Sequence, residues 1–389
     1  MRKINYFYRP LYDLTGQMIH RLMICLSLLL ISSQVWAVID PLQDRAPQSE
    51  RAQQGLLLDI TQAAERLVTV GERGHILYSD DQGQHWQQAQ VPVRVTLTAV
   101  DFATAQLGWV VGHDGVILAT QDGGVSWQKQ LDGYQANQAI EDELKRLLAL
   151  SDNERLEQGV QYQTEELEYL LEDAQLFSEE GASRPFLDVQ FLDERQGFAV
   201  GAYGLIFRTV DGGEHWQPWV ANLANPDNFH INALTQGRDE LYMAGEAGSI
   251  YRSDDQGLSW STLTSPYDGP FFGVAVTQTP SGEESVVVYG LRGHAFISSD
   301  RGDHWSELDV DSDAAVLGVS QINGNRIVLL TNGGELYQFS DDGELKGRGL
   351  TQDRSALSSG LMATSDDLLL VGVNGMTHIN LPQMQWEVR

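Results

Sequence analysis

Cysteine is all but missing from this chain: one residue, Cys25, occurs in 389. It lies inside an N-terminal stretch laid out like a secretory leader. His20 and Arg21 precede the apolar run 22–31, and Val35-Trp36-Ala37 sets small residues two apart, so cleavage is expected after Ala37. The run is too short for a comfortable membrane span, and Met18 is an alternative start. Ile24 stands where a lipoprotein leader needs a small residue, which argues against a lipid on Cys25. The exported chain then has no thiol, so disulfides, thiolate–metal sites and cysteine nucleophiles are excluded. Basic residues are scarce as well, 25 Lys and Arg against 54 Asp and Glu, for a formal net charge of −29. Loss of residues 1–37 removes four basic residues and one acidic residue and leaves the chain more acidic still. Nucleic acid and anionic lipid are thereby disfavoured, because both reward clusters of Lys and Arg. Prolines number only eleven, and no Gly-x-Ser-x-Gly, phosphate loop or His-Glu-x-x-His is present. No cofactor is expected.

Glycine and tryptophan, by contrast, are plentiful, at 38 and nine. Their placement is periodic. The pattern Ser/Thr-x-Asp-x-Gly-x-x-Trp occurs five times: Ser79, Asp81, Gly83, Trp86; Thr120, Asp122, Gly124, Trp127; Thr209, Asp211, Gly213, Trp216; Ser253, Asp255, Gly257, Trp260; and Ser298, Asp300, Gly302, Trp305. The tryptophans are 41, 89, 44 and 45 residues apart. The hydroxyl and carboxylate satisfy backbone groups in a tight turn, the glycine tolerates positive φ, and the ring packs back over the turn. These aspartate boxes are read as structural hairpin turns. His85, His215 and His304, each just before a box tryptophan, are likewise read as packing or solvent-facing residues.

A second turn precedes each box. Val70–Gly74 recurs at 111–115, 200–204, 244–248 and 289–293, and without a good box at 330–334 and 371–375. Ser340-Asp341-Asp342-Gly343 keeps the box turn but lacks the tryptophan, and Trp386 closes the chain without a box. Each turn lies between short apolar runs, and another strand-like run precedes each unit. Four strands in each of seven repeats predict an all-β, seven-bladed β-propeller over 55–389, after a leader (1–37) and an N-terminal segment (38–54).

The 89-residue step leaves about 45 residues beyond one blade. These have no glycine turn or box. Instead Ile140, Leu144, Leu147 and Leu148 follow helical spacing, and Ser151 can cap a second helix. In that second helix Leu156, Val160, Leu167, Leu170, Ala174 and Phe177 form a heptad stripe, interrupted at Gln163. The expectation is an α-helical hairpin at 134–182 between blades two and three. Its stripe would dock on a partner helix or on another copy of the chain, unless the pair only covers a blade edge. Blade topology puts the hairpin on the face of the glycine turns, opposite the boxes. Glu72, Arg73, His113, Asp114, Tyr203, Glu246, Arg292 and Asn374 are the candidate partner-binding residues of that face. No metal site is assigned: His113 with Asp114 is a bare pair, and no Asp-x-Asp-x-Asp-Gly loop occurs.

The fuller unit in 186–216, Phe-Leu-Asp-Val-Gln-Phe, then Gly-Phe-Ala-Val-Gly-Ala-Tyr-Gly, then Thr-Val-Asp-Gly-Gly-Glu-His-Trp, resembles the photosystem II stability and assembly factor family, as does blade two from Leu97 to Trp127. The resemblance covers roughly 55–310 well. It implies a seven-bladed propeller without enzymatic activity that binds newly made membrane-protein subunits, on a face rich in arginine. Arg73 and Arg292, with Arg184 or Arg195, would form a reduced version of that face. Boxes of this kind also occur in neuraminidase repeats and glycanases, so a carbohydrate-active propeller is the rival, although the Arg-Ile-Pro signature of sialidases is absent. A third reading is a self-assembling structural subunit. The expected function is a non-catalytic, exported scaffold, periplasmic or lumenal, holding an envelope or membrane protein such as a transport or assembly complex.

Overall fold

Seven antiparallel sheets follow one another along the chain. The computed structural model describes residues 40–279, 281–322 and 326–387, so the leader expected over 1–37 lies outside the described residues. The first blade is built from Leu57–Ala63, Arg66–Gly71, Ile76–Ser79 and Gln87–Gln88, paired in chain order. Blades two to six repeat this plan over 97–131, 186–218, 231–262, 271–307 and 316–350. The first strand of each blade packs on the first strand of the next, and that of blade seven packs on that of blade one, closing the ring.

Local sequence explains each strand. Second strands such as Gly197–Gly201 are buried at every position, as a continuous apolar run requires when sheets cover both faces. First strands are only partly buried, as in blade three, where Phe186, Val189 and Phe191 are buried and the residues between them are half-buried. Every first strand slips register near its start, and in six blades the first residue of the slip pairs with a glycine, as Leu57 does with Gly71 and Phe186 with Gly201. This bulge explains the Val-Gly signal. A Cβ on Gly201 would lie 2.3 Å from the Pro185 carbonyl oxygen, so a side chain is excluded by contact.

The boxes close the opposite ends of the blades. Ser79 Oγ donates to Asp81 Oδ1 at 2.8 Å and accepts from the Gly83 amide at 2.9 Å. Asp81 accepts from the His85 amide at 2.8 Å, and Trp86 Nε1 donates to the Gly83 carbonyl at 2.9 Å. The hydroxyl bonds of the clasp recur at Thr120, Thr209, Ser253 and Ser298, whereas the tryptophan bond recurs at Trp127 and Trp216 donates to Gln130 instead. The hydrogen bonds from His85 and His304 hold the Asp81 and Asp300 carboxyls down at about 2. The boxes are thus committed to their own turns, and Ser340 with Asp342 keeps a remnant of the clasp. Ser253→Ala leaves the buried Gly257 amide without its acceptor. It is expected to cost about 1–3 kcal/mol, read as a lower urea midpoint at unchanged slope.

Neighbouring blades are stitched by aspartates on the first strands. Asp59 accepts from the Val100 amide at 2.9 Å, Asp101 from the Phe191 amide at 2.6 Å, and Asp188 from the Leu234 amide at 2.8 Å. Ser359 Oγ, in blade seven, donates to Asp59 at 2.9 Å and bridges the seam of the ring. Burial outweighs these bonds and raises all three carboxyls, Asp101 to about 6 and Asp188 to about 8.

Two expectations need correction here. Blade seven has three strands, Leu357–Met362, Asp367–Gly372 and Gly375–Asn380, because the chain leaves it after Asn380. Glu387 instead pairs with Arg348, and Trp386 lies over Gly347 and Gly349, so the C-terminal residues add to the edge of blade six. The insertion also departs from a simple hairpin. It comprises α1 (Gly133–Leu148), the short α2 (Asp152–Glu157) and α3 (Thr164–Glu180). Capping boxes at Asp132, Ser151 and Gln163 start each one. Ser151 therefore caps a helix of six residues, and the long second helix is broken at 158–163. There Gln161 N donates to Ala221 O at 2.8 Å, Asn222 donates to Gln158 O at 2.7 Å, and the Asn225 amide donates to Tyr162 Oη at 2.7 Å.

The expected docking stripe is divided accordingly. Leu156 is 67% exposed on α2, and Val160 is buried in the extended break. Leu167 and Ala174 are buried, and Leu170 packs against them in one cluster with Ile140, Leu144 and Leu147 of α1 and with Phe186, Phe207 and Trp216 of blade three. Leu156 apart, the stripe is turned towards the protein's own core.

Candidate functional site

The turns joining the second and third strands carry the candidate residues on the face where the insertion emerges. In blades one to five the turn spans three residues, and its middle residue lies in the left-handed region: Arg73 (φ 57°), Asp114 (56°), Tyr203 (54°), Ala247 (52°) and Arg292 (56°). Glycine would relax these positions, and a non-glycine residue there costs of order 1–3 kcal/mol. Arg73, Tyr203 and Arg292 are exposed, so the strain holds long side chains outward with little burial in return. Ala247 shows that the turn also accepts a methyl group.

The structure gathers the candidates into separate groups. Tyr203 is 48% exposed and is wedged between Phe177 of α3 and His230, with ring centroids 5.2 and 4.7 Å away. Glu246 joins this group by accepting from the His230 amide at 2.9 Å, with its other oxygen 3.7 Å from His230 Nδ1. Arg292 lines a shallow acidic cleft with Asp309, Asp311 and Asp313, beside His294 stacked on Tyr267 at 4.1 Å. Asn374 donates to Asp353 at 3.2 Å, and that bond with one from Ser355 keeps the Asp353 carboxyl at about 2. Glu72 and Arg73 stand on the first blade beside the N-terminal segment, where Glu72 Oε1 approaches Gly55. His113 and Asp114 flank the root of the insertion, for a Cβ on Gly115 would meet Gly133 at 2.6 Å. Among the described residues no three His, Cys, Asp or Glu side chains are grouped to hold a metal.

Two arginines do not serve this face. Arg184 is buried, with its guanidinium 4.2 Å from the Phe177 ring and donating to Asn137 at 2.8 Å; burial lowers it to about 10. It locks α3 onto the propeller. Arg195 sits in the turn between the first two strands of blade three, where its carbonyl accepts from the box residue Gly212 at 2.9 Å, so it belongs to the opposite face. Sequence reasoning missed His230, Tyr267 and His294. His230 directly precedes the first strand of blade four, a position that always opens on the turn face, and that offset was the available signal. Tyr203, Phe177, Arg184, Asp173 and Asn228 together line a narrow cleft between α3 and blades three and four.

Comparison with known proteins decides the family. The sequence profile described as "Photosynthesis system II assembly factor YCF48" matches residues 78–154 and 178–345, well over half of the chain. The chain belongs to this family. It is 36% identical over 77 residues to the photosystem II assembly lipoprotein Ycf48 of Synechococcus sp. (strain CC9902), a stretch covering 20% of this chain and 23% of that protein. It is 37% identical over 54 residues to the protein of the same name from Prochlorococcus marinus, covering 14% and 16%. The matched segment thus spans less than a quarter of these relatives. The fold is similar to YCF48 from Cyanidioschyzon merolae (TM-score 0.56, 15% identity, 87% and 99% of the two chains). It is similar to the same degree to YCF48 bound to D1 peptide (TM-score 0.54, 18% identity, 84% and 93%). These likenesses establish the seven-bladed propeller. The profile is interrupted between 154 and 178, the stretch that contains half of α2 and most of α3.

Proposed function

We propose that the protein is a non-catalytic assembly factor that holds a segment of a membrane protein on the turn face, beside the helical insertion. The observation that carries this reading is the set of exposed side chains held on strained turns around one face of the propeller, Arg73, Tyr203 and Arg292, in a member of an assembly-factor family. A propeller likeness to YCF48 bound to D1 peptide supports a peptide-like ligand. The leader expected over 1–37, and relatives named as lipoproteins, support export and work at an envelope or lumenal membrane surface. No helix among the described residues is long and apolar enough to cross a membrane. A glycosidase role has no support beyond the box pattern.

The test is cross-linking and capture of the tagged protein in its own cells, comparing wild type with Arg73→Ala/Arg292→Ala. Alanine is already accommodated at the equivalent Ala247, so the fold is expected to survive unchanged. One defined membrane protein should be captured by wild type, with recovery falling about tenfold or more in the variant. Capture of no membrane protein, or equal recovery by both, ends the reading.

A further inference from the structure

The outer face of α3 interleaves exposed apolar and acidic side chains. The helix Thr164–Glu180 contains seven acidic residues and no basic one. Its buried edge is spent on the core, but Glu165, Tyr169, Glu172, Leu176 and Glu179 are all exposed, at successive steps of four, three, four and three. Tyr169 is 68% and Leu176 60% exposed, and Tyr134 at the start of α1 extends the apolar strip, 57% exposed beside the end of α3. Steps of four and three mark a seam that another helix can follow. Exposing Tyr169 and Leu176 to solvent has no benefit for the monomer. Among the described residues the flanking glutamates form no ion pair with Lys, Arg or His of the chain.

We infer that this face docks a basic amphipathic helix, with apolar residues of the partner on Tyr169 and Leu176 and its Lys or Arg residues against Glu165, Glu172 and Glu179. Charge selects this occupant. A second copy of the same face would set acidic rows against each other, and an anionic lipid surface would be repelled. The family profile skips 155–177, which holds Glu165, Tyr169, Glu172 and Leu176, so most of this surface is an addition to the propeller, separate from the turn face. The inference rests on the assembly-factor reading and adds to it the chemistry of a second contact.

The test is a fluorescence titration of the full exported chain with a synthetic helix of about three heptads, Leu on the seam and Lys on either side, against a scrambled peptide of the same composition. The ordered peptide should bind at least about tenfold more tightly than the scrambled one. Tyr169→Ser/Leu176→Ser should erase that margin, while Glu165→Gln/Glu172→Gln/Glu179→Gln should weaken binding mainly at low salt and flatten its salt dependence. Val210→Ser, also apolar and exposed but on a box turn, should change nothing. Equal binding of both peptides, or unchanged binding by the Tyr169/Leu176 variant, overturns the inference. So does a dimer in sedimentation that this variant abolishes, since the occupant is then a second copy. The capture experiment above separates the two proposals. A membrane protein captured with a negative titration leaves the assembly reading standing without this face, and no capture removes that reading whatever the peptide does.

Discussion

Leu144→Ala should lower the free energy of unfolding by about 2–5 kcal/mol, although the residue belongs to an insertion absent from the repeat. Leu144 is fully buried and shares one cluster with Ile140, Leu147 and Leu167 and with Phe186, Phe207 and Trp216 of blade three. Truncation removes a side chain from a site whose walls are helix on one side and sheet on the other, so it cannot collapse without moving both. Urea unfolding followed by tryptophan fluorescence reads the cost, with Leu156→Ala as the exposed reference, expected within about 0.5 kcal/mol of wild type. A cost near that of Leu156→Ala would mean that the insertion only rests on the propeller. For the same reason a chain lacking 133–182 should expose this cluster, so point substitutions are the sound way to test what the insertion binds.

Stability should also decline as pH rises from about 4 towards 8. Asp101 and Asp188 have carboxyls raised by burial to about 6 and about 8, far above the ordinary aspartate value of 3.8. Between the unfolded and folded values the native state holds protons that the unfolded chain has released, so each group contributes a slope of up to about 1.4 kcal/mol per pH unit in that interval. The sign is negative with rising pH, and the contribution is intact below the unfolded value. Below pH 4 the box carboxyls of Asp81 and Asp300, held at about 2, act in the opposite sense, and stability is lost as they protonate. The thermal midpoint should therefore be highest on the acid side of neutrality. Asp188→Asn gives up one hydrogen bond, since an amide nitrogen then faces a backbone N–H, but it should flatten the fall between pH 6 and 8. An unchanged slope in this variant would place the titration elsewhere.

The propeller was legible because its signals are local. A box satisfies its own turn within eight residues, and the Val-Gly signal reports a carbonyl lodged against one Cα, so neither needs the rest of the fold to be understood. The insertion was legible as helix for the same reason, by its lack of those turns. Its break was not. Val160 and Tyr162 leave helical geometry because Ala221, Asn222 and Asn225, some sixty residues away in sequence, offer hydrogen bonds to this stretch, and a heptad count still scores Val160 as buried. Arg184 and Arg195 illustrate the same limit. Composition counts both as surface charge, yet one lies beneath Phe177 and the other on the far face. The acidic outer row of α3 was hidden by its inner row, which satisfied the periodicity first.

The seam between blades seven and one gives the architecture its capacity for growth. The strands of each sheet are drawn from one unbroken stretch of chain, Glu387 at the edge of blade six being an isolated bridge, and the ring is closed across the seam by side-chain and packing contacts such as Ser359 on Asp59, with no sheet shared between the two ends. Chain can therefore be spliced in between blades while every ladder stays whole, as 133–182 has been. A linker on that face can be lengthened without cutting a ladder, so a wheel of this kind can be refitted by extending a single spoke-to-spoke connection.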